Sequence, residues 1–460
     1  MPVNAKALYD WHASGGAFER LVPSWESMCI DRWQGGEDTQ NLSKAQQWGD
    51  ISKGALISIV LKKGPLKLNW TAKHTDSDRG HFFVDQQLSG PFAHWEHRHL
   101  FHSIDEQQSI LEDQVSYKLP LKPVSRLMQP WVERQLRAMF AFRHIRTSHD
   151  ISMYQKYPFA SPLKIAITGA SGLLGRQLVA FLRGGGHRIF PMVRRSTADQ
   201  SDEIQWSIDG FDPKPLEGMD AVIHLAGEPI LGWWTKRKKE RILRSRVQGT
   251  QVLVDAFSKL QHPPKTFISA SAIGFYGNVI ADECFEDSAC GAGFLAQVCQ
   301  EWENTALRAA NMGIRVVLPR IGIVLSGAGG ALKQMLLPFY LGAGGRVGDG
   351  NQWMSCIALD DLLSMFLFAL NNKDVEGALN CVSPNPIQNK EFTYILGKVL
   401  NRPTFIPLPK FAVRLLLGEM GEALLLQGAK VIPRKALDLG FEWSYRETVD
   451  ALRLETGNCV

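Results

Sequence analysis

The stretch Lys164-Ile-Ala-Ile-Thr-Gly-Ala-Ser-Gly-Leu-Leu-Gly175 constrains this chain more than any other. A short apolar run ends in glycines at 169, 172 and 175, and a helical pattern, Leu174–Arg183, follows at once. A strand that turns this sharply into a helix can cradle a dinucleotide. Gly169 permits the tight turn, Gly172 lets backbone approach a pyrophosphate, and Gly175 lets the helix pack close to the strand. The helix N-terminus then offers free N–H groups and a positive dipole end to the phosphates. Gly169, Ser171, Gly172, Leu173 and Gly175 are therefore expected to bind cofactor; the plain alternative is a tight turn with no ligand.

The next apolar run, Arg188–Val193, ends in Arg194-Arg195. A site selecting NAD usually carries a carboxylate there for the ribose 2′-hydroxyl. A guanidinium pairs with a 2′-phosphate instead, so two arginines and no acid point to NADP(H). Ala221–Ala226, Thr266–Ala270 and Ile314–Leu318 are further buried-strand candidates, each preceded by a helical stretch. Such alternation implies a parallel sheet covered on both faces. Residues 401–460, with Pro403, Pro407, Pro409 and a Leu-rich helix at Phe411–Leu426, read as a C-terminal cap on the unit formed by 164–400.

The first part has another texture. Ala55–Lys62 and Leu66–His74 flank Lys63-Gly64-Pro65, a hairpin signal, and three more runs follow at His81–Leu88, Phe92–His102 and Gln108–Leu119. Short links between consecutive strands mark an antiparallel meander. Apolar residues at 132, 136, 139, 140 and 142 predict one amphipathic helix, from about Gln129 to Ile145, closing a domain over residues 1–150. Residues 151–163, with Pro158 and Pro162, read as a linker.

Composition narrows the function classes. The chain has 460 residues, 45% hydrophobic and 21% charged, with net charge +5, which calls for neither nucleic acid nor an acidic membrane as partner. The longest apolar runs, such as Ala55–Leu61, fall far short of a membrane span. The start, Met-Pro-Val-Asn-Ala-Lys, has no signal-peptide core, and the seven cysteines form no C-x-x-C pair. The expectation is a cytoplasmic protein with reduced thiols.

Thr168-Gly-x-x-Gly-x-x-Gly175, His224-Leu-Ala-Gly227 and Ser269-Ala-Ser271 resemble the extended short-chain dehydrogenase/reductase, or epimerase/dehydratase, family. Gly227-Glu228, Trp233, Ser245-Arg246, Arg320-Ile-Gly-Ile-Val-Leu325 and Ile432-Pro-Arg-Lys435 resemble its uncharacterised epimerase branch, often labelled cell-division-inhibitor-like. Phe83-Val-Asp-Gln86 and Gly90-Pro-Phe-x-x-Trp-x-His-x-His99 resemble a second superfamily, the START-like (SRPBCC) ligand-binding fold. Together these imply a Rossmann-type doubly wound α/β sheet with a C-terminal cap, preceded by an α+β START-like helix-grip domain. They also imply a small-molecule substrate for the second unit and an apolar ligand for the first.

In the short-chain family a Ser works with a Tyr-x-x-x-Lys pair, the Tyr moving the substrate proton and the Lys lowering its pKa. Ser271 stands at the serine position. In Gly293-Phe-Leu-Ala-Gln-Val-Cys-Gln-Glu-Trp-Glu303, however, Leu295 and Cys299 stand for the pair, or Gly293 and Gln297 in the shifted register. Neither pair transfers a proton in the family's way. Tyr276 and Glu228 are the candidate substitutes beside Ser271, against structural roles as a loop tyrosine and a helix-entry carboxylate. Leu225, Ala226, Gly227, Glu228 and Arg320, at carboxyl ends of expected strands, are expected to line the cofactor site. Trp233, Trp234, Phe339 and Trp353 are either pocket or core, and Cys299 reads as a buried structural thiol. His97 and His99 share one strand face with no nearby acid visible in sequence, so no metal is expected. Three functions remain open: an NADP(H)-dependent reductase or epimerase, a non-catalytic NADP(H) sensor or scaffold, and a carrier domain delivering an apolar substrate to a reductase.

Overall fold

A computed structural model describes residues 1–39, 47–63, 66–120, 124–195 and 202–459. Gly64-Pro65 of the expected hairpin turn lie outside the described residues. Two short helices, α1 (Ala5–His12) and α2 (Ala17–Leu21), precede six strands: β1 (Ser27–Gln34), β2 (Leu56–Lys63), β3 (Leu66–Asp78), β4 (Phe82–Ser89), β5 (His94–Ser103) and β6 (Ser109–Lys118). They pair in sequence order, all antiparallel, as the expected meander. β1 escaped the sequence reading because Ser-Met-Cys-Ile-Asp-Arg-Trp-Gln buries none of its side chains fully at the sheet edge.

The closing helix, α3, runs Val124–Lys156, longer at both ends than its apolar spacing predicts. Residues 151–156 are thus helical, and only the rest of the expected linker is free of helix. The extension has a physical cause. Phe142, Arg146, Thr147, Asp150, Ile151 and Met153 are all buried, so the last turns continue into a second interface that a local apolar pattern does not show.

The second half is an eight-stranded sheet in which every pair is parallel. Its members are β7 (Lys164–Thr168), β8 (Arg188–Val193), β9 (Ile204–Gln205), β10 (Ala221–His224), β11 (Thr266–Ser269), β12 (Ser271–Ala272), β14 (Arg315–Ile321) and the strand Gly377–Cys381. β13 (Val279–Cys284) pairs instead with Ala429–Val431 of the C-terminal region. The order is β12-β14-β11-β10-β7-β8-β9, with Gly377–Cys381 against β14. Along β7, Ile165 and Ile167 enter one core while Ala166 enters the other, as side-chain alternation requires of a sheet buried on both faces. Helices α4 (Leu173–Gly184), α5 (Lys236–Phe257) and α6 (Phe294–Leu307) cover it. Among the described residues no helix is long and apolar enough to cross a membrane.

The strand histidines need one correction. His97 and His99 are not without acids: Asp85 lies opposite His97 on β4, and Asp113 lies opposite His99 on β6. Cross-strand register, which β5 alone does not reveal, brings both carboxylates to the same face.

The two halves are joined by buried charge. Arg20 of α2 donates to Asp150 of α3 (2.7 Å) and to Asp360 (2.8 Å), which opens the helix Leu359–Asn371. Arg146 donates to Asp360 and to Glu455, both at 3.1 Å. Removing one partner of a buried pair strands the other charge, typically at about 3–5 kcal/mol. Asp360→Ala should therefore lower unfolding free energy by about 3–5 kcal/mol in denaturant titration. Asp10→Ala, which breaks the exposed pair with Arg79, should change it by less than about 1 kcal/mol.

Candidate functional site

The glycine loop sits where the strand order reverses, between the carboxyl ends of β7 and β10, the place at which such sheets bind ligands. Gly169 has φ +69°, and a Cβ there would come within 2.9 Å of the Ala226 nitrogen. A Cβ on Gly175 would lie 2.1 Å from the Gly169 carbonyl. Glycine is thus required at both positions, by φ and close approach at the first and by helix–strand packing at the second. Gly172 caps the N-terminus of α4 and, like Ser171, is exposed. The Thr168 hydroxyl accepts from the Leu225 and Ala226 N–H groups, at 3.2 Å each, and pairs with His224 Nδ1 at 2.6 Å. It thereby ties the two loops together. Burial pushes His224 down to about 3, so its ring is neutral. Arg194 and Arg195 follow β8 directly and are both exposed. A cradle that any Cβ would fill, a bare helix N-terminus and two exposed guanidiniums fit a phosphorylated dinucleotide.

Beside this cradle lies a buried polar chain. Ser271 Oγ donates to Glu303 Oε1 at 2.6 Å. Arg320 grips the same carboxylate with Nε (2.9 Å) and Nη2 (2.8 Å), and its Nη1 donates to Tyr276 Oη (2.9 Å) and to the Glu286 carbonyl (3.0 Å). Tyr276 Oη donates in turn to Asn380 Oδ1 at 2.6 Å. Ser271, Tyr276, Arg320 and Glu303 are all at most 5% exposed. Burial drives the Tyr276 phenol well above its usual range, more than Arg320 pulls it back. Arg320, expected at the cofactor, is the hub of this polar network, with its guanidinium 3.6 Å from the Phe275 ring centroid.

Glu228 is part-exposed and held by Lys238 Nζ (2.7 Å) and Arg241 Nε (3.4 Å), and the Lys238 hydrogen bond keeps its carboxyl below the usual range. Arg246 Nη1 donates to the Glu228 carbonyl at 3.0 Å, bracing the Leu225–Glu228 loop. Leu295 and Cys299 face this site from α6, packing on Gly274. Burial pushes the Cys299 thiol up to about 12, so it stays protonated, as a structural thiol should. Of the aromatics, Phe339 belongs to a core cluster, Trp234 meets Phe294 edge-on at 5.2 Å, and Trp233 is exposed beside Gly418. Sequence reading missed Glu303 and Asn380 as partners of the candidate hydroxyls. The one available signal was Glu303 itself, an acid on the helix face that also carries Ala296, Cys299 and Trp302.

Residues 165–381 match the NAD dependent epimerase/dehydratase family, and residues 408–454 match a domain of unknown function, DUF1731. The chain belongs to the NAD dependent epimerase/dehydratase family. A relative from Arabidopsis thaliana, a chloroplastic epimerase family protein SDR39U1 homolog, is 40% identical over 308 residues, 64% of this chain and 86% of its own. The crystal structure of a nucleoside-diphosphate sugar epimerase from Corynebacterium glutamicum is 30% identical with a TM-score of 0.79, over 100% of this chain and 89% of that one. The likeness therefore includes the antiparallel half. Human epimerase family protein SDR39U1, solved with NADPH, is 33% identical with a TM-score of 0.60, over 65% of this chain and 100% of that one.

Because the Tyr276 hydroxyl both donates and accepts within a buried chain, its loss should register as stability. Tyr276→Phe should cost about 1–3 kcal/mol in thermal or denaturant unfolding and leave nucleotide affinity unchanged, as calorimetry can check.

Proposed function

We propose that the chain binds NADP(H) and acts as an oxidoreductase or epimerase on a small-molecule substrate. The observation that carries this reading is the cradle at β7–α4 with Arg194 and Arg195 exposed at the end of β8. Gly169, Ser171, Gly172, Leu173 and Gly175 would hold the pyrophosphate, the two arginines the 2′-phosphate, and Leu225, Ala226 and Gly227 the nicotinamide side. NADP(H), when bound, supplies or takes up hydride. Ser271 gives its proton to Glu303, so it is left to accept a hydrogen bond from a substrate hydroxyl. Tyr276 and Glu228 are the remaining candidates for moving a proton, and each is already paired. A cytoplasmic setting, with the seven cysteines as thiols, belongs to this reading.

The sensor reading has its own support: the family resemblance puts Leu295 and Cys299, or Gly293 and Gln297 in the shifted register, at the tyrosine and lysine positions, and neither pair exchanges protons at neutral pH. A ligand-carrying role for residues 1–150 draws on the START-like resemblance and on the aromatic group Trp70, Phe92 and Trp95, whose rings lie 4.9–5.7 Å apart.

Two measurements follow. Calorimetry should give tighter binding of NADPH than of NADH, and Arg194→Ala with Arg195→Ala should remove a preference of roughly 10–100-fold, the worth of charge-assisted pairing. Equal affinities in the unmodified chain would refute the NADP(H) assignment. Carbonyl compounds should consume NADPH, nucleotide sugars should reduce NADP+ or be epimerised without net loss of cofactor, and Ser271→Ala should slow turnover by about 2–10-fold, the worth of one neutral hydrogen bond to a substrate hydroxyl. Tight NADPH binding with no turnover over such a panel would favour the sensor.

A further inference from the structure

The inward face of the antiparallel sheet carries a group of side chains that the nucleotide site does not use. Asp85 of β4, His97 and His99 of β5 and Asp113 of β6 converge there, and His144 of α3 reaches down onto Asp113 (2.6 Å). One ligand atom each from Asp85, His97 and His99 lies within 4.8 Å of the other two. His97 and His99 are 2% and 8% exposed. We propose that Asp85, His97 and His99 form a binding site for one divalent transition-metal ion, with Asp113 as the outer carboxylate that orients both imidazoles.

Distances carry the assignment. Asp85 Oδ2 lies 3.3 Å from His97 Nδ1 and 3.5 Å from His99 Nε2. Those separations are long for hydrogen bonds between such groups. They match the edge of a tetrahedron around an ion with bonds of about 2.0–2.2 Å, which separates its ligands by about 3.3–3.6 Å. The other ring nitrogens, His97 Nε2 and His99 Nδ1, each lie 2.9 Å from Asp113 Oδ1. A ligating imidazole whose second nitrogen faces a carboxylate is the usual outer arrangement of metal sites, where it fixes ring orientation and raises ligand basicity. The surroundings are equally fixed. Phe83 stacks on His99 with ring centroids 3.9 Å apart, and Phe140 of α3 meets His97 edge-on at 5.1 Å. Two imidazoles and one carboxylate suit zinc, or ferrous iron in an open three-ligand site. Water would complete the coordination, and the ion would clamp β4 to β5 beneath α3.

The test uses the full chain with any affinity tag removed and zinc chloride alone as probe. Calorimetry should give one ion per chain, and cobalt in its place should show the visible absorption of a tetrahedral nitrogen–oxygen site. Asp85→Asn and His99→Gln, which keep shape, should each weaken binding by tenfold or more, and Asp113→Asn by about 10–100-fold. His102→Ala, on the same strand but paired with Glu112 at the surface, should leave binding unchanged. Anomalous scattering at the zinc edge locates the ion independently of any variant. No ion bound, or an ion bound elsewhere, overturns the proposal and leaves the cluster as a proton-held set of histidine–carboxylate pairs.

Discussion

The two halves of this molecule depend on one buried ionic junction. Arg20, Arg146, Asp150, Asp360 and Glu455 come from four helices and are each at most 2% exposed. Withdrawing such groups from water is costly, and mutual attraction offsets the cost only when every partner is in place. The junction therefore fixes several things together: the reach of α3 past Asp150, the seating of α2 on α4 through Gln177, and the docking of Glu455, which also accepts from the Gly327 N–H. A chain cut at residue 150 would leave Arg20, Arg146 and Asp150 without Asp360 and Glu455.

A similar logic shapes the region beside the nucleotide cradle. Glu303 and Arg320 are buried as a bidentate pair, and two hydroxyls that sequence resemblance places near the chemistry are drawn into it. Ser271 spends its proton on Glu303, and Tyr276 spends its own on Asn380. A hydroxyl committed to a buried carboxylate or amide is a poor proton donor to a substrate, because donating would leave that acceptor unsatisfied. The chain thus combines an intact dinucleotide-type loop with a polar centre built for rigidity.

The N-terminal sheet shows charge handled in another way. Burial alone would raise the Asp85 carboxyl, yet the imidazoles of His97 and His99 beside it hold it well below the usual carboxylate range. His12 and His74, packed beside the same rings without such partners, are pushed by burial down to about 3 and about 4. One sheet face thereby holds neutral histidines next to histidines matched with acids, and opposing strands decide which is which.

The sequence by itself determined the elements whose cause is local. The glycine loop was legible because a positive φ at 169 and a close approach at 175 admit no side chain. The parallel sheet was legible because unbroken apolar runs alternate with helical periodicity, and the meander because its turns are short. Only the tertiary structure decided the rest. The partners of His97 and His99 depend on strand register, the length of α3 on an interface with residues more than two hundred positions away, and the roles of Ser271, Tyr276 and Arg320 on Glu303 and Asn380. These are long-range polar contacts. Hydrophobic periodicity reports which face a residue is buried on, but it says nothing about which distant group arrives there to satisfy a charge or a hydroxyl.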